Sequence, residues 1–216
     1  MKQLKISFIM LLTMTIILGI AYPIMMTGIA RIIFQEKSGG NLIYINNKII
    51  GSKLIGQSFT GAKYFHGRPS SNYYDAVSSG GSNYGPTNKK FIEQVSERAE
   101  HLRKENKLVP STIIPADTVL ASGSGLDPHI NLDSAMLQVK RIANERKINE
   151  SIIIDLVNSK AEKQYFGIAG GYFVNVVELN MALECIPVGY KPVIPESEAS
   201  RESRFYQKNG FPHSRE

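Results

Sequence analysis

A long uncharged segment at the N-terminus constrains the fold of this chain more than any other feature. No charged residue occurs between Ile6 and Ala30, where most positions are large aliphatic or small residues. About 20 residues of helix cross the hydrocarbon core of a bilayer. We therefore predict a transmembrane helix over residues 6–34, after a short N-terminal segment of residues 1–5, with a kink at Pro23. A cleaved signal peptide is the alternative, although its apolar region is usually only about 7–15 residues long.

Charges on either side of this segment bear on its orientation. Lys2 and Lys5 precede it and favour an N-terminus in the cytoplasm. Arg31 and Lys37 follow it and weaken that preference. We expect a single-pass protein of the inner (plasma) membrane, in contact with membrane lipid, whose soluble domain lies outside the cytoplasm.

The composition argues against several classes of protein. Charged residues make up 20% and hydrophobic residues 43% of the chain, as in folded rather than disordered proteins. The net charge is +6, but no Lys/Arg run alternates with aromatic residues, so we expect no nucleic-acid partner. The single cysteine, Cys185, can form no internal disulfide, and the four histidines are too scattered for a zinc site. The sequence therefore predicts no metal site.

Patterns after the apolar segment predict one mixed α/β (α+β) soluble domain over residues 39–184. Asn46-Asn47 separates two short strand-like runs, as in a hairpin with a tight turn. Helices are predicted from Asn88 to Glu105, with Phe91, Val95, Ala99 and Leu102 along one apolar face, and after Asn149. Another is predicted to Arg146 with Asn131 as its N-cap, and its apolar stripe is Leu132, Ala135, Met136, Val139, Ile142 and Ala143. A strand is predicted from Tyr172 to Leu179. The polar tail of residues 185–216 has little to bury, so we predict that it is flexible.

Two glycine- and serine-rich stretches are the most distinctive part of this domain. Segment 1 comprises residues 78–88 and segment 2 residues 121–131, and each runs directly into a predicted helix. Backbone N–H groups at such a position can bind an anion or the carbonyl of a partner, whereas the plainer interpretation is a pair of capped turns. The binding candidates are Ser79, Gly80, Gly81, Ser82 and Asn83 in segment 1, and Ser122, Gly123, Ser124, Gly125, Asp127 and His129 in segment 2.

Segment 2 also holds the residue types of a hydrolase, since Ser124, Asp127 and His129 lie close together in sequence. Gly123-Ser124-Gly125 does not have the G-x-S-x-G form of a nucleophile elbow, however. The chain also has neither of the glycine motifs that bind nucleotide phosphates, G-x-x-x-x-G-K-[ST] and G-x-G-x-x-G. We therefore predict no catalytic residue and a binding or accessory role. A membrane-anchored hydrolase outside the cytoplasm and a ligand-binding envelope protein are the alternatives.

Several sequence blocks resemble a known family in the same order. These blocks are residues 51–59, 64–70, 79–88, and 115–117 leading to 121–130. Gln138, Arg141, Ala143 and Arg146 continue the last block, and residues 174–183 resemble the family's closing strand. The chain resembles the C subunit of the Kdp-type high-affinity potassium-transporting ATPase from about residue 6 to 184. It departs from the family pattern at Asn131, where serine is usual, and at Lys147, where glycine is usual.

The resemblance implies an accessory subunit of an ATP-driven potassium uptake complex. Its partners would be a potassium-channel-like A subunit, a P-type ATPase B subunit and a small F subunit. The family's C subunit is described as a catalytic chaperone that raises the ATP affinity of the B subunit, a role suggested for the segment Ser79–Ser82 and for Gln138. The chain has no Asp-Lys-Thr-Gly phosphorylation motif, so it is not the phosphorylated subunit.

No cofactor of its own is expected, although ATP would be shared with the B subunit if the two met. A domain outside the cytoplasm could not contact ATP. It would then act by stabilising the assembly or by guarding the potassium entrance of the A subunit, and both mechanisms stay open at this point.

Overall fold

The N-terminal helix of the computed structural model extends from Lys2 to Ile33. The structure describes residues 1–45, 47–163, 170–187 and 189. Helix α1 covers Lys2–Ile16, a π-helical turn covers Ile17–Ala21, and α2 covers Tyr22–Ile33. Among the described residues this is the one helix long and apolar enough to cross a membrane, and no residue of its apolar window is buried. The structure thus supports the predicted apolar helix.

The π turn explains how Pro23 is accommodated in this helix. Proline has no N–H, and its ring would collide with the carbonyl four residues earlier, which belongs to Gly19. A wider turn at Ile17–Ala21 relieves that collision without ending the helix. The π turn lies just before Pro23, and the kink expected there stays a prediction.

A short helical turn and a hairpin connect the apolar helix to the body. Helix α3 covers Gln35–Ser38, and strands β1 (Leu42–Ile45) and β2 (Lys48–Ser52) pair antiparallel, with Tyr44 opposite Ile49. Asn47 has the left-handed φ of 64° that the tight turn requires, while Asn46 lies outside the described residues. The predicted hairpin is confirmed.

Helix α4 (Lys89–Glu105) follows segment 1, as predicted. Asn88 caps it, because its side-chain oxygen accepts hydrogen bonds from Lys90 N at 2.9 Å and from Phe91 N at 3.4 Å. Its predicted apolar face is only half-buried in the described structure. That face consists of Phe91, Val95, Ala99 and Leu102.

Helices α5 (Leu132–Arg146) and α6 (Glu150–Ser159) pack against each other and confirm two further predictions. Lys147 ends α5 in the left-handed conformation, with φ 55°, so lysine adopts the geometry for which glycine is favoured. Asn131 precedes α5, but its side chain forms no cap, contrary to the prediction. Asp117 instead holds the chain at the start of α5, because its carboxylate accepts hydrogen bonds from Asn131 N at 2.7 Å and from the Ser134 hydroxyl at 2.5 Å.

The predicted strand from Tyr172 to Leu179 is only half correct. Strand β5 ends at Asn175, and helix α7 covers Val176–Glu184. Asn175 stops the strand because its side chain caps the helix, accepting hydrogen bonds from Val177 N at 3.0 Å and Glu178 N at 3.2 Å. Tertiary burial at helical spacing outweighs the strand preference of the two valines. In this chain, the block 174–183 that resembles the family's closing strand is therefore the end of a strand followed by a helix.

A small antiparallel sheet and three helices enclose the core. The sheet has the order β3 (His129–Asn131), β5 (Tyr172–Asn175) and β4 (Ala161–Lys163). Its residues and those of α5, α6 and α7 supply most of the buried cluster, which is Phe65, Ile130, Ala135, Val139, Ile142, Ala143, Ile148, Ile153, Val157, Val174, Val176, Leu179 and Leu183. The predicted α+β class is confirmed. The predicted flexible tail, apart from residues 185–187 and 189, lies outside the described residues.

Candidate functional site

Segments 1 and 2 contact each other in the folded chain. The carbonyl of Ser124 accepts two hydrogen bonds from segment 1, one from Gly80 N at 2.9 Å and one from the Ser79 hydroxyl at 3.0 Å. Apart from β3 at the end of segment 2, both segments are largely irregular, so their backbone groups need partners outside helices and sheets. Part of that need is met by the contact between them.

Two glycines allow this close approach. A Cβ on Gly81 would lie 3.0 Å from the carbonyl oxygen of Gly123. Gly125 has a φ of 71°, and a Cβ there would lie 3.0 Å from the carbonyl oxygen of Gly80 and collide with the Asn72 side chain. The glycines are therefore required by the packing of one segment against the other.

The stretch before segment 1 is strained and held by side chains. Tyr73 and Tyr74 have positive φ values of 56° and 61°, which are unfavourable for bulky residues. The Tyr74 hydroxyl donates to the carbonyl of Arg68 at 2.5 Å, and its backbone N–H donates to the Ser70 hydroxyl at 2.9 Å. Burial, together with the charge of Asp127, raises the pKa of Tyr74 to about 12. Tyr74 is thus a neutral hydrogen-bond donor at physiological pH.

Segment 1 lines an open polar cavity of about 500 Å³. Ser79, Gly80, Gly81 and Ser82 face it, whereas Asn83 is exposed with a φ of 54°. Arg98 is the one charged residue among the described residues that line this cavity, and it donates to the carbonyl of Val119 at 3.0 Å. A polyphosphate would therefore find little positive charge here.

Asp127 and His129 belong to a second cavity of about 450 Å³. The Asp127 carboxylate accepts hydrogen bonds from Arg68 Nη1 and from His129 N, both at 3.0 Å, and His129 Nδ1 lies 3.4 Å from Asp127 Oδ1. Burial would raise the pKa of Asp127, but the hydrogen bonds from His129 and Arg68 outweigh it and lower that pKa. Asp127 is therefore an ionised partner of Arg68.

The hydrolase triad is not assembled. The hydroxyl oxygen of Ser124 accepts a hydrogen bond from Leu126 N at 3.1 Å. Within the described part of the chain, no hydrogen bond joins the Ser124 hydroxyl to His129, so the pair lacks the contact by which a base activates a nucleophile. Segment 2 is thus a folded turn in this structure.

Gln138 lines a third, smaller cavity of about 200 Å³, which Ile130 at the end of segment 2 also lines. It is only 3% exposed. Its amide nitrogen donates to the carbonyls of His66 at 3.1 Å and Ser134 at 3.2 Å. Its amide oxygen accepts from His66 N at 2.7 Å and from Arg141 Nη2 at 2.9 Å. The donors and acceptors of this side chain are therefore already in use inside the protein.

The bonds of Gln138 belong to a larger arrangement around residues 62–66, which we call the clamped segment. Asn180 binds it in the same way, accepting from Phe65 N at 2.8 Å and donating to the Phe65 carbonyl at 2.9 Å. The side-chain amides of Gln138 and Asn180 thus supply the hydrogen bonds that a neighbouring strand would give to this backbone. This irregular segment, in which Phe65 is the one fully buried residue, is thereby kept in place.

Two buried arginines complete the clamp. Arg141 donates to the carbonyls of Ala62 and Tyr64, the latter at 3.0 Å. Arg146 donates to the carbonyl of Lys63 at 2.9 Å and to Glu184 Oε1 at 2.6 Å. Helix α5 therefore supplies two of the cations that fix the segment.

His66, at the end of the clamped segment, is uncharged at neutral pH. Burial lowers the pKa of its imidazole, and the nearby charge of Arg141 lowers it further. Glu105, whose Oε1 lies 3.3 Å from His66 Nδ1, opposes this shift without reversing it. The neutral imidazole avoids placing a second positive charge beside Arg141.

Sequence reasoning gave no role to the clamp residues Arg141, Arg146 and Asn180. A signal was available for Arg146, because it follows Ile142 by one helical turn and so lies on the predicted apolar stripe of α5. A charged residue on a buried stripe requires partners.

Among the described residues, no group of three or more acidic, histidine or cysteine side chains could hold a metal ion.

Comparison with known proteins gives consistent matches over most of the chain. The family model described as "KdpC: K+-transporting ATPase, c chain" matches residues 4–185. The potassium-transporting ATPase KdpC subunit of Rhodopseudomonas palustris (strain BisB5) is 42% identical, over 85% of this chain and 97% of the relative. Those of Mycobacterium tuberculosis (strain H37Rv) and Caldanaerobacter subterraneus subsp. tengcongensis are 44% and 43% identical, over 85% and 84% of this chain and 98% and 94% of the relatives.

Proposed function

The chain belongs to the KdpC family, the c chain of the K+-transporting ATPase, and we propose that it is a non-catalytic accessory subunit of an ATP-driven potassium uptake complex. It assists the assembly of a channel-like A subunit and a P-type ATPase B subunit, together with a small F subunit. It also acts as a catalytic chaperone that raises the ATP affinity of the B subunit.

One observation supports a non-catalytic role above the others. Ser124, Asp127 and Gln138, the residues with which this chain could react or bind a nucleotide, have hydrogen bonds inside the domain. The cavity beside segment 1 has Arg98 as its one charged side chain among the described residues. We infer that the chain changes ATP affinity by contacting its partner proteins, with no cofactor of its own.

Removal of the chain tests this role directly. The complex purified without it is expected to lose potassium-stimulated ATP hydrolysis at low ATP, and to regain part of it at high ATP if the KM for ATP has risen. Adding back the full chain should restore the lower KM. An unchanged KM and an unchanged yield of the assembled A and B subunits would contradict the proposal.

We further propose that the N-terminus faces the cytoplasm and the body lies outside it. Lys2 and Lys5 lie at the N-terminal end of the apolar helix and favour the cytoplasmic side, although Arg31 and Lys37 at its other end weaken that preference. In this orientation the body cannot meet ATP, and the chaperone effect would pass through the assembled subunits.

Cys185 reports this orientation without any engineered label site. It is the single cysteine of the sequence and it is exposed. A membrane-impermeant maleimide is expected to label the full chain in intact spheroplasts, and Cys185→Ser is the control that should stay unlabelled. Labelling only after the membrane is permeabilised would place the body in the cytoplasm and favour ATP shared with the B subunit.

A further inference from the structure

The hairpin of β1 and β2 exposes an unusual amount of apolar surface. Large hydrophobic side chains on both strands are 40–59% exposed, and they are Leu42, Tyr44, Ile45, Ile49 and Ile50. Scattered exposed apolar residues are ordinary, but a contiguous group of them on one small hairpin marks a contact surface. We therefore expect another molecule to cover the apolar surface of the 42–50 hairpin.

The place of the hairpin in the chain limits what that occupant can be. The apolar helix ends at Ile33, and Asn41 N donates to the carbonyl of Glu36 at 3.1 Å. The start of β1 is thereby held within roughly 15 Å of the helix end, given about 3.3 Å per extended residue. A bilayer adds about 5–8 Å of headgroup region on each side of its hydrocarbon core. The hairpin is thus tethered at the level of the membrane surface.

The side chains around the hairpin have the chemistry of a membrane interface. Arg31, Lys37 and Lys48 are cationic, and Phe34 and Tyr44 are exposed aromatics of the kind that lie at headgroup level. Basic residues next to apolar ones bind surfaces that carry anionic lipid. This combination fits a lipid interface better than a dry protein groove, where lysine is disfavoured.

The other side of the hairpin is joined firmly to the body. The carbonyl of Lys53, just after β2, accepts a hydrogen bond from Asn175 Nδ2 at 2.7 Å. The Lys53 ammonium lies 2.7 Å from Glu178 Oε1 at the start of α7. Toward the helix, the Ser52 hydroxyl donates to the carbonyl of Gly40 at 2.6 Å. A contact made by the hairpin would therefore fix the orientation of the body.

We propose that the 42–50 hairpin lies in the headgroup–acyl boundary of the bilayer beside the apolar helix and holds the body in a fixed orientation on the membrane surface. The Tyr44 and Ile49 side chains, opposite each other in the hairpin, contact acyl chains, and the Lys48 ammonium remains at phosphate level. This inference rests on the membrane anchoring in the proposed function.

Depth-dependent quenching tests the inference on the full chain. Single-cysteine variants are made in a Cys185→Ser background, labelled with an environment-sensitive fluorophore, and reconstituted in vesicles of phosphatidylethanolamine and phosphatidylglycerol containing doxyl-labelled lipid. The reporter is Ile49→Cys. Leu18→Cys marks the middle of the apolar helix, and Val77→Cys, 97% exposed on the body, is the control in water. We expect quenching at positions 18 and 49 to exceed that at position 77 several-fold.

The outcomes separate this inference from the anchoring on which it rests. Quenching at position 18, with position 49 no more quenched than position 77, would overturn the hairpin contact and leave the anchor intact. No quenching at position 18 would overturn both. Quenching at position 49 that disappears when the chain is assembled with the A and B subunits would show that a protein partner covers the hairpin, and would also overturn the lipid contact.

Discussion

Replacement of Arg141 by methionine is expected to lower the free energy of unfolding of the body by about 3–5 kcal/mol, the range found when one member of a buried charged network is removed. Arg141 is 6% exposed, and its Nε donates to Asn106 Oδ1 at 3.0 Å. It also holds carbonyls of the clamped segment, and its Nε lies 3.7 Å from Glu105 Oε1. Methionine fills a similar volume but leaves these buried acceptors without a donor.

Urea unfolding of the full chain in detergent, followed by circular dichroism, measures this effect. Lys140→Met is the matched control, because Lys140 is the preceding residue of the same helix and is exposed. The control is expected to unfold within about 0.5 kcal/mol of the unsubstituted chain, as surface substitutions usually do. Equal stabilities for the two variants would show that the clamped segment does not depend on Arg141.

The parts of the fold that were predictable are those governed by local rules. Asn88 and Asn149 cap helices α4 and α6 at the expected positions, because a cap acts on N–H groups two or three residues away. The start of α7 was missed, since Val176 and Val177 prefer strands and only their burial against other elements favours the helix. Local rules thus predicted elements wherever tertiary contacts did not oppose them.

The clamped segment could not be derived in this way. Asn180 lies 115 residues from Phe65 in sequence, and Gln138 lies 72 residues from His66. No periodicity or cap connects positions so far apart, and the residues 64–70 have the appearance of an ordinary loop. Only the fold shows that the backbone groups of Phe65 and His66 are bound by side chains from α5 and α7. Because these contacts join residues so far apart in sequence, the sequence analysis did not predict the structural role of Gln138 and Asn180.

In the two glycine-rich segments, too, local features were predictable and contacts between distant residues were not. Their sequence indicated turns before helices, and the structure has helices after both. The sequence did not indicate that the contact between the segments requires glycine at positions 81 and 125. A motif that resembles a ligand-binding loop can therefore be shaped by internal packing, and any binding role must be tested apart from that packing.

Gln138 offers that test, because it is the nucleotide candidate with the clearest structural role. Gln138→Leu removes the donor to the His66 carbonyl and the acceptor for His66 N. The two partly buried backbone groups of His66 then lack these partners, at a cost of about 2–4 kcal/mol of unfolding free energy. Gln138→Glu keeps the acceptor for His66 N but sets a carboxylate oxygen against the carbonyls of His66 and Ser134, so we expect a loss of similar size. Gln94→Leu, on α4 beside the polar cavity, is the control and should change stability little.

The same variants separate a structural role of Gln138 from a role in binding ATP. If the residue only holds the clamped segment, complexes containing Gln138→Glu should keep the unsubstituted KM for ATP at temperatures where the body remains folded. They should lose activity earlier on heating, together with the circular dichroism signal of the isolated variant. A KM for ATP raised several-fold in a fully folded complex would instead assign Gln138 to the nucleotide. Because its four hydrogen-bonding contacts are internal, we expect the thermal effect without the change in KM.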